Sequence, residues 1–200
     1  FYSHYNVNII TGTTNAQPDN SGSTNLYDSN SNALTSNFDV YKCLDNNNNS
    51  ASTSEPSGQG NQVITTADSY KWKYMFTLSA AAQANFLSTD FMGVSTNSTV
   101  TGAAVDGGLN VIKIKSAGTG GTAGTFTAIP IRGDGSGGTC SVTISAGSVT
   151  AVTITGTPTG YSFAYVRVAD INAAGGGALT GAELDVIIEP KGGHGFDPFE

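Results

Sequence analysis

The sequence has little charge of either sign and few basic residues. Only 12% of its 200 residues are charged, and 8 Lys and Arg against 15 Asp and Glu give a net charge of −7. Nucleic-acid binding is driven by cationic patches on phosphates, so this balance predicts no nucleic-acid partner. The chain also lacks the Ala, Glu, Lys and Leu enrichment of coiled coils and bundles. No apolar run has the length of a membrane-spanning helix, and we expect no membrane partner.

Cysteine and histidine are equally scarce. Cys43 and Cys140 are too few for a disulfide scaffold, and Cys140 alternates with apolar neighbours as a small buried side chain does. His4 and His194 have no partner at metal-ligand spacing. There is no G-x-S-x-G motif and no Cys beside a His. The sequence therefore predicts no enzyme, and no catalytic, cofactor-binding or metal-binding residues.

The chain opens on Phe1 rather than Met and closes on Glu200. No basic segment followed by an apolar one marks a signal peptide. We interpret the chain as an internal piece of a longer protein, with proteolytic maturation as the alternative.

Composition divides the chain into three stretches. Residues 1–100 are rich in Asn and Ser and hold 5 of the 26 glycines, whereas residues 101–182 are rich in Gly and Thr. We predict a β domain over 1–100, an inserted small β module over 101–182, and a return strand and tail of the first domain over 183–200. The predicted fold class is all-β, mainly antiparallel and sandwich-like, with one short helix and long polar loops.

Alternation of apolar and polar residues marks the strands of the first stretch. It is strictest over Tyr70–Leu78, and we expect this strand to be central and its Trp72 buried. Phe1–Ile9 and Phe38–Leu44 are further predicted strands. Ser79 is a suitable N-cap for a helix over Ala80–Leu87. The polar runs 15–37 and 45–60 are predicted loops.

The Gly/Thr stretch is predicted to contain only strands and turns. Ala146-Gly147 separates two β-branched runs and predicts a tight hairpin. Residues 112–131 resemble 152–168 as a faint repeat, which is either two units of one sandwich or a coincidence of composition. The predicted strands are Leu109–Lys115, Phe126–Ile131, Cys140–Ile144, Val149–Ile154 and Phe163–Val168.

Four short motifs suggest chemistry only weakly. Gly118–Ala123 matches the loose dinucleotide pattern G-x-G-x-x-A, but the β-branched residues and Pro130 that follow exclude the required helix. Asp45–Asn49 spaces its oxygens like a calcium loop but lacks the glycine and the final glutamate. Arg132-Gly133-Asp134 spells a cell-attachment tripeptide, and Asn97-Ser98-Thr99 spells a glycosylation sequon. Each is interpreted as an ordinary loop or turn.

Two further groups allow alternative interpretations. Glu183 and Asp185 would share one face of a strand, which is most simply a solvated edge. The rings of Tyr70, Trp72 and Tyr74 would form either a carbohydrate platform or part of the core, and their strict alternation favours the core.

Longer motifs carry a resemblance to a known family. Val40–Asn49, Ser54–Gly58 and Ile64–Leu78 together resemble the baseplate wedge subunit of T-even-type contractile-tailed phages, especially its cyanobacterial-phage versions. Pro190–Pro198 also looks like a segment of those proteins. The resemblance covers roughly residues 38–94 and 186–198. Ser69 stands where the family often has Gly.

The resemblance implies a structural role. Wedge subunits of this family are β-rich, form homodimers in the T-even case, and join neighbouring wedge proteins in the hexagonal baseplate of the virion tail, which is assembled in the host cytoplasm. The family brings no catalytic residues. The alternative is a host-surface or glycan-binding tail module that displays the Gly/Thr stretch, and a polysaccharide-degrading tail enzyme would need a positioned carboxylate pair.

Overall fold

A computed structural model of the chain describes residues 8–9, 32–48, 50–88 and 92–197. They form two compact units: one contains the described residues up to Ala104 and those from His194 onward, and the other spans Val105–Gly193. The predicted all-β class is confirmed, because 49% of the structure is strand and 13% helix, in three mostly antiparallel sheets. Within the described ranges, no helix has the length and apolar character to cross a membrane.

The first unit has a five-stranded sheet in the order β1-β2-β3-β5-β4. The β1–β2 pair is parallel and the other pairs are antiparallel. As predicted, the aromatic strand β5 is an inner strand. The strands are β1 (Asn8–Ile9), β2 (Asn32–Leu34), β3 (Asp39–Asp45), β4 (Ile64–Thr65) and β5 (Lys71–Thr77).

Strands β3 and β5 are buried on both faces, and the first unit has two core clusters. One is aromatic: Trp72 lies opposite Cys43 and stacks on Tyr70, with ring centroids 5.4 Å apart. Tyr41 meets Tyr74 edge-to-face at 5.7 Å, an arrangement that aromatic pairs favour. The other cluster is aliphatic and thioether-rich and contains Leu34, Val40, Met75, Phe76, Leu78 and Met92.

Two helices complete the described part of the first unit. α1 (Ala80–Phe86) begins as predicted at Ser79, whose Oγ accepts the Ala82 N–H. α2 (Ser98–Gly102) was not predicted; the side chain of Asn97 caps it by accepting the N–H groups of Thr99 and Val100. The sequon asparagine is therefore a helix cap.

The second unit is a sandwich of two sheets around one core. The three-stranded sheet has the order β10-β9-β7 and the four-stranded sheet has the order β6-β12-β11-β8. Its core is aliphatic and draws on both sheets, with Ile129, Cys140 and Val142 from one and Ile112 and Val186 from the other. The strands are β6 (Leu109–Gly121), β7 (Gly124–Pro130), β8 (Arg132–Gly133), β9 (Ser136–Ser145), β10 (Ser148–Thr159), β11 (Ala164–Tyr165) and β12 (Gly177–Ile188).

Tyr161 is the one aromatic among the buried core residues of the second unit, and glycines surround it. Its hydroxyl donates to the carbonyl of Ile131 at 3.2 Å. A Cβ on Gly135 would lie 2.4 Å from the Tyr161 ring, and one on Gly138 would lie 2.7 Å from its hydroxyl oxygen. Real side chains do not approach so closely, so these positions accept only glycine while the ring stays in place.

The Ala146-Gly147 hairpin is confirmed between β9 and β10, with φ of 50° and 85° at its two central residues. Positive φ at both positions defines the turn that suits the twist of paired strands. The prediction of strands and turns alone was wrong after residue 166, where α3 (Val168–Ile171) and a π-helical turn (Asn172–Gly176) replace the end of the predicted strand. β2 likewise lies inside a predicted loop.

The unit boundaries differ from the predicted ones. We expected residues 183–200 to rejoin the first unit, but Glu183–Ile188 are the second half of β12 and belong to the second unit. β12 pairs with β6 almost throughout, so the change in composition near residue 182 falls within a continuous strand. The first unit resumes only at His194.

Candidate assembly surface

Two buried tyrosines of the first unit immobilise a long polar loop. The Tyr70 hydroxyl donates to the Ser50 carbonyl at 2.5 Å, and the Tyr41 hydroxyl donates to the Gly58 carbonyl at 2.9 Å. Both rings are fully buried. Burial, with the nearby charges of Asp39 and other groups, raises the pKa of Tyr41 to about 12, so this hydroxyl stays a donor at ordinary pH. Backbone carbonyls of the loop thus satisfy hydroxyls that the core would otherwise leave unpaired.

A third attachment centres on the carboxylate of Asp68. Its Oδ2 accepts the Thr53 and Ser54 backbone N–H groups at 2.7 and 3.0 Å and the Ser52 hydroxyl at 3.0 Å. Its Oδ1 accepts the Thr66 hydroxyl at 2.5 Å. Burial opposes ionisation, but these hydrogen bonds outweigh it and lower the pKa of Asp68. An ionised carboxylate therefore holds the middle of the loop.

The end of the loop is tied to β3 and β5. Gln59 Nε2 donates to Asp39 Oδ1 at 3.0 Å, and the hydroxyl of Thr77 donates to the same oxygen. The Tyr74 hydroxyl lies 2.7 Å from the Thr77 hydroxyl oxygen. The loop therefore has a defined shape although residues 50–60 contain no helix or strand. Ordered loops of this length usually serve a function.

A tight turn beside this loop presents an aromatic side chain. Glu55 accepts the backbone N–H of Ser36, which joins the loop to the turn over residues 35–39. Phe38 in that turn is 37% exposed and has a φ of 61°. A bulky residue in the left-handed region is strained, and strain of this kind is concentrated at functional sites. We call residues 35–39 and 50–60 the turn–loop surface.

The turn that precedes β5 has a second unusual backbone. Ser69 has a φ of 67°, and its N–H donates to the Thr66 carbonyl at 2.9 Å. Glycine reaches this conformation without strain. The structure thus requires left-handed backbone at the position where the resembled family often has Gly.

The aromatic strand is part of the core, as the alternation favoured. Trp72 has no exposed surface and Tyr74 has 2%. These rings therefore form no carbohydrate platform. The Trp72 Nε1 atom has no hydrogen-bond partner among the described residues.

The cell-attachment tripeptide has both of its charged ends bound within the second unit. Arg132 donates through Nε and Nη2 to the carboxylate of Asp170 at 3.0 and 2.8 Å. Asp134 accepts the Ser162 hydroxyl and the N–H groups of Ser162 and Phe163. Those hydrogen bonds lower the pKa of Asp134 to about 2. Arg132 and Asp134 therefore both bind other residues of the second unit and stabilise it.

The other weak motifs are structural as well. Gly118–Gly121 are the end of β6 rather than a loop before a helix. Asp45 forms an ion pair with Lys71 at 3.8 Å and accepts the Asn47 N–H. Across the part of the chain that the structure describes, no three His, Cys, Asp or Glu side chains are grouped to hold a metal.

The cysteines and the histidine of the described residues are buried. Cys43 and Cys140 are both buried, as expected for Cys140, and burial raises the pKa of Cys140 to about 11. His194 is buried, and burial with the charges of Lys42 and Lys73 lowers its pKa well below 6.5. His4 lies outside the described residues.

Glu183 is exposed, as predicted, but the predicted edge position of the strand that carries Glu183 and Asp185 was wrong. β12 lies between β6 and β11, so it is an inner strand. A bulge separates Glu183 from Leu184, and Asp185 forms an ion pair with Lys115 at 3.2 Å.

Comparison of the chain with protein-family models, with curated proteins and with solved structures finds no match.

The turn–loop surface is the feature that sequence reasoning missed. The polar run 45–60 gives no local sign of order, because the hydrogen bonds that hold it come from residues up to 21 positions away. The available signal was the number of tyrosine hydroxyls on a strand that alternation already marked as buried. Each such hydroxyl needs an acceptor, and a nearby loop is the simplest source.

Proposed function

We propose that this chain is a non-enzymatic structural protein of a phage virion, a subunit of the wedge in a contractile-tail baseplate. It acts by joining neighbouring wedge proteins, as a homodimer, at the tail end of the particle. The sequence resemblance over residues 38–94 and 186–198 is the starting point of this proposal.

The observation that carries the proposal is the turn–loop surface. Core side chains that belong to the resembling motif, Tyr41, Asp68 and Tyr70, hold this loop in one conformation. A loop ordered before binding loses less conformational entropy in an interface than a flexible one does. Phe38 supplies the exposed aromatic that interface centres favour.

The backbone at Ser69 supports the same proposal. A left-handed conformation at the position where the family often has Gly is what a shared turn geometry would produce. The low charge of the chain also suits close packing among copies of itself and its neighbours.

The direct test is the position of the protein in the particle. Purified virions of the phage that encodes the chain are labelled with antibody against it and imaged by electron microscopy. Label at the tail-end plate, six-fold around the axis, is the expected result. Label on fibres or spikes, or no label with an antibody that binds the isolated protein, would overturn the wedge role.

A variant tests the surface itself. We expect Phe38→Ser to reduce incorporation into baseplates by at least tenfold while Trp72 fluorescence stays native. The matched control is Phe86→Ser, which changes an equally exposed ring on α1. Equal loss with both variants, or normal incorporation of Phe38→Ser, would show that the turn–loop surface is not the contact.

A further inference from the structure

The second unit carries a surface of a different kind around β11. Phe163, Tyr165 and Arg167 are exposed, while the alternating residues Ala164 and Val166 pack against the core. Phe163 is 55% and Tyr165 45% exposed. Two residues along a strand span about 6.6 Å, so the rings lie at neighbouring positions on one face. The packed residues between them hold both rings in place.

The chain has only two arginines, and both lie at this surface. Arg132 is opposite Tyr165 in the strand register. Its guanidinium holds the carboxylate of Asp170, and Arg167 is close enough to lower the pKa of that same carboxyl. The Asp170 carboxylate is thus bonded to Arg132 alone among the described residues and lies within the electrostatic range of Arg167.

The other charges around Tyr165 are already balanced. Asp185, opposite Tyr165 on the other side, is paired with Lys115. Arg167 has no ion pair among the described residues, so it leaves one positive charge in excess beside Tyr165. At the Phe163 end, the exposed carboxylate of Asp134 accepts backbone and hydroxyl donors and carries a negative charge of its own.

We propose that Phe163, Tyr165 and Arg167 form a binding site for an acidic saccharide. A sugar ring presents a flat face of C–H groups that packs on an aromatic ring, and its carboxylate fits the planar fork of a guanidinium. Asp134 accepts hydroxyls of the next sugar along the strand. Tyr165 is fixed in β11 and Phe163 directly precedes that strand, so little ordering entropy opposes binding.

This site is independent of the proposed assembly role, because it lies in the second unit and uses none of the turn–loop surface. If the wedge role is overturned, the saccharide site is not affected. If the saccharide site is overturned, the wedge role is not affected.

The test is calorimetric titration of the whole chain with a uronic-acid tetrasaccharide, tetragalacturonate, and with its neutral counterpart, galactotetraose. We expect weak binding of the uronate and at least tenfold weaker binding of the neutral sugar. Tyr165→Ala is expected to lower uronate affinity by at least tenfold. Arg167→Gln is expected to abolish the preference for the charged sugar while binding of the neutral sugar is unchanged.

Two control variants match these changes. Phe196→Ala removes a ring of similar exposure in the first unit, and Lys191→Gln removes an exposed cation that follows the end of β12. Neither is expected to change affinity. Absence of binding to both sugars, equal affinity for both, or equal losses in the controls would overturn the proposal. So would a wild-type oligomer that dissociates with Tyr165→Ala in sedimentation, because the rings would then contact a second copy.

Discussion

The two units bury their strands with different chemistry. The first packs Trp72 and three tyrosines, and the hydroxyls of those tyrosines are met by loop carbonyls or a threonine hydroxyl. The second packs β-branched aliphatic side chains around a single tyrosine enclosed by glycines. Large polar-tipped rings thus order the loops of the first unit, whereas glycine gives the second unit room for close backbone approach. The same contrast explains the compositions, Asn and Ser in one and Gly and Thr in the other.

The chain provides a separate probe for each unit. Its single tryptophan is in the first unit, and Cys140 is a buried thiol in the second. Trp72 fluorescence therefore follows unfolding of the first unit, and reaction of Cys140 with a thiol reagent, located by mass spectrometry, follows the second.

Removal of the Trp72 side chain should destabilise the first unit alone. Trp72→Ala leaves a large cavity in a fully buried aromatic cluster, so we expect a loss of about 3–5 kcal/mol in the free energy of unfolding. Denaturant melts followed by circular dichroism and by Cys43 reactivity measure it. Cys140 should stay protected at the same denaturant concentrations as in the wild type.

Phe163→Ala is the control for this change, because it removes a ring that is 55% exposed. We expect less than about 0.5 kcal/mol for an exposed position. A loss below about 1 kcal/mol for Trp72→Ala would contradict the burial of this side chain.

Gly135→Ala should damage the second unit. Its Cβ would lie 2.4 Å from the Tyr161 ring and 2.7 Å from the Thr159 carbonyl oxygen, so the ring or the strand must shift. Overpacking of this kind costs about 1–3 kcal/mol. Earlier exposure of Cys140 in denaturant, with unchanged Trp72 fluorescence, is the expected result.

Gly60→Ala is the matched control, since nothing lies within 4 Å of its added Cβ and no left-handed φ is required there. The denaturant dependence of Trp72 fluorescence and of Cys140 reactivity should be the same as in the wild type. Equal stability of Gly135→Ala and wild type would mean that Tyr161 is not enclosed as described.

Local patterns predicted the parts of both units that depend on local chemistry. The alternation over Tyr70–Leu78 predicted β5 and the burial of Trp72, Ser79 predicted the start of α1, and Ala146-Gly147 predicted a turn. β2 was missed, because three residues in a polar run show no period until β3 pairs with them.

Features that depend on distant residues could not be predicted. The turn–loop surface is held by bonds from Tyr41 and Asp68, and the enclosure of Tyr161 brings this residue against glycines of β8, β9 and the turn between them. The surface around β11 needs the register that places Arg132 beside Tyr165. The sequence shows each residue type but not this convergence.

Mild acid should destabilise the first unit but not the second. The pKa of His194 is well below 6.5 in the folded first unit, so the unfolded chain binds more protons as pH falls below about 6.5. Stability of the first unit should therefore decrease from pH 6.5 downward, by at most about 1.4 kcal/mol per pH unit for one proton. Denaturant melts at pH 7.5, 6 and 5 followed by Trp72 fluorescence measure this slope.

The second unit should not respond over that range, because it contains no histidine. The pKa values of its Asp134 and Asp170 are lowered, so their stabilising effect is lost only below about pH 4. His194→Gln should remove the slope of the first unit, and His4→Gln should leave it. An unchanged slope in His194→Gln would assign the effect to another group.

The smallest expected effect concerns one left-handed residue in each unit. Ser69→Gly in the first unit and Ala146→Gly in the second each relieve a backbone with φ of 67° or 50°. Left-handed strain of about 1–2 kcal/mol is partly offset by the greater freedom of glycine in the unfolded chain. We expect each variant to gain about 0.5–1 kcal/mol, seen only by the probe of its own unit. Ser69→Gly could be neutral while Ala146→Gly gains stability. In that case the Ser69 side chain contributes an interaction that compensates the backbone strain, and serine itself stabilises this turn.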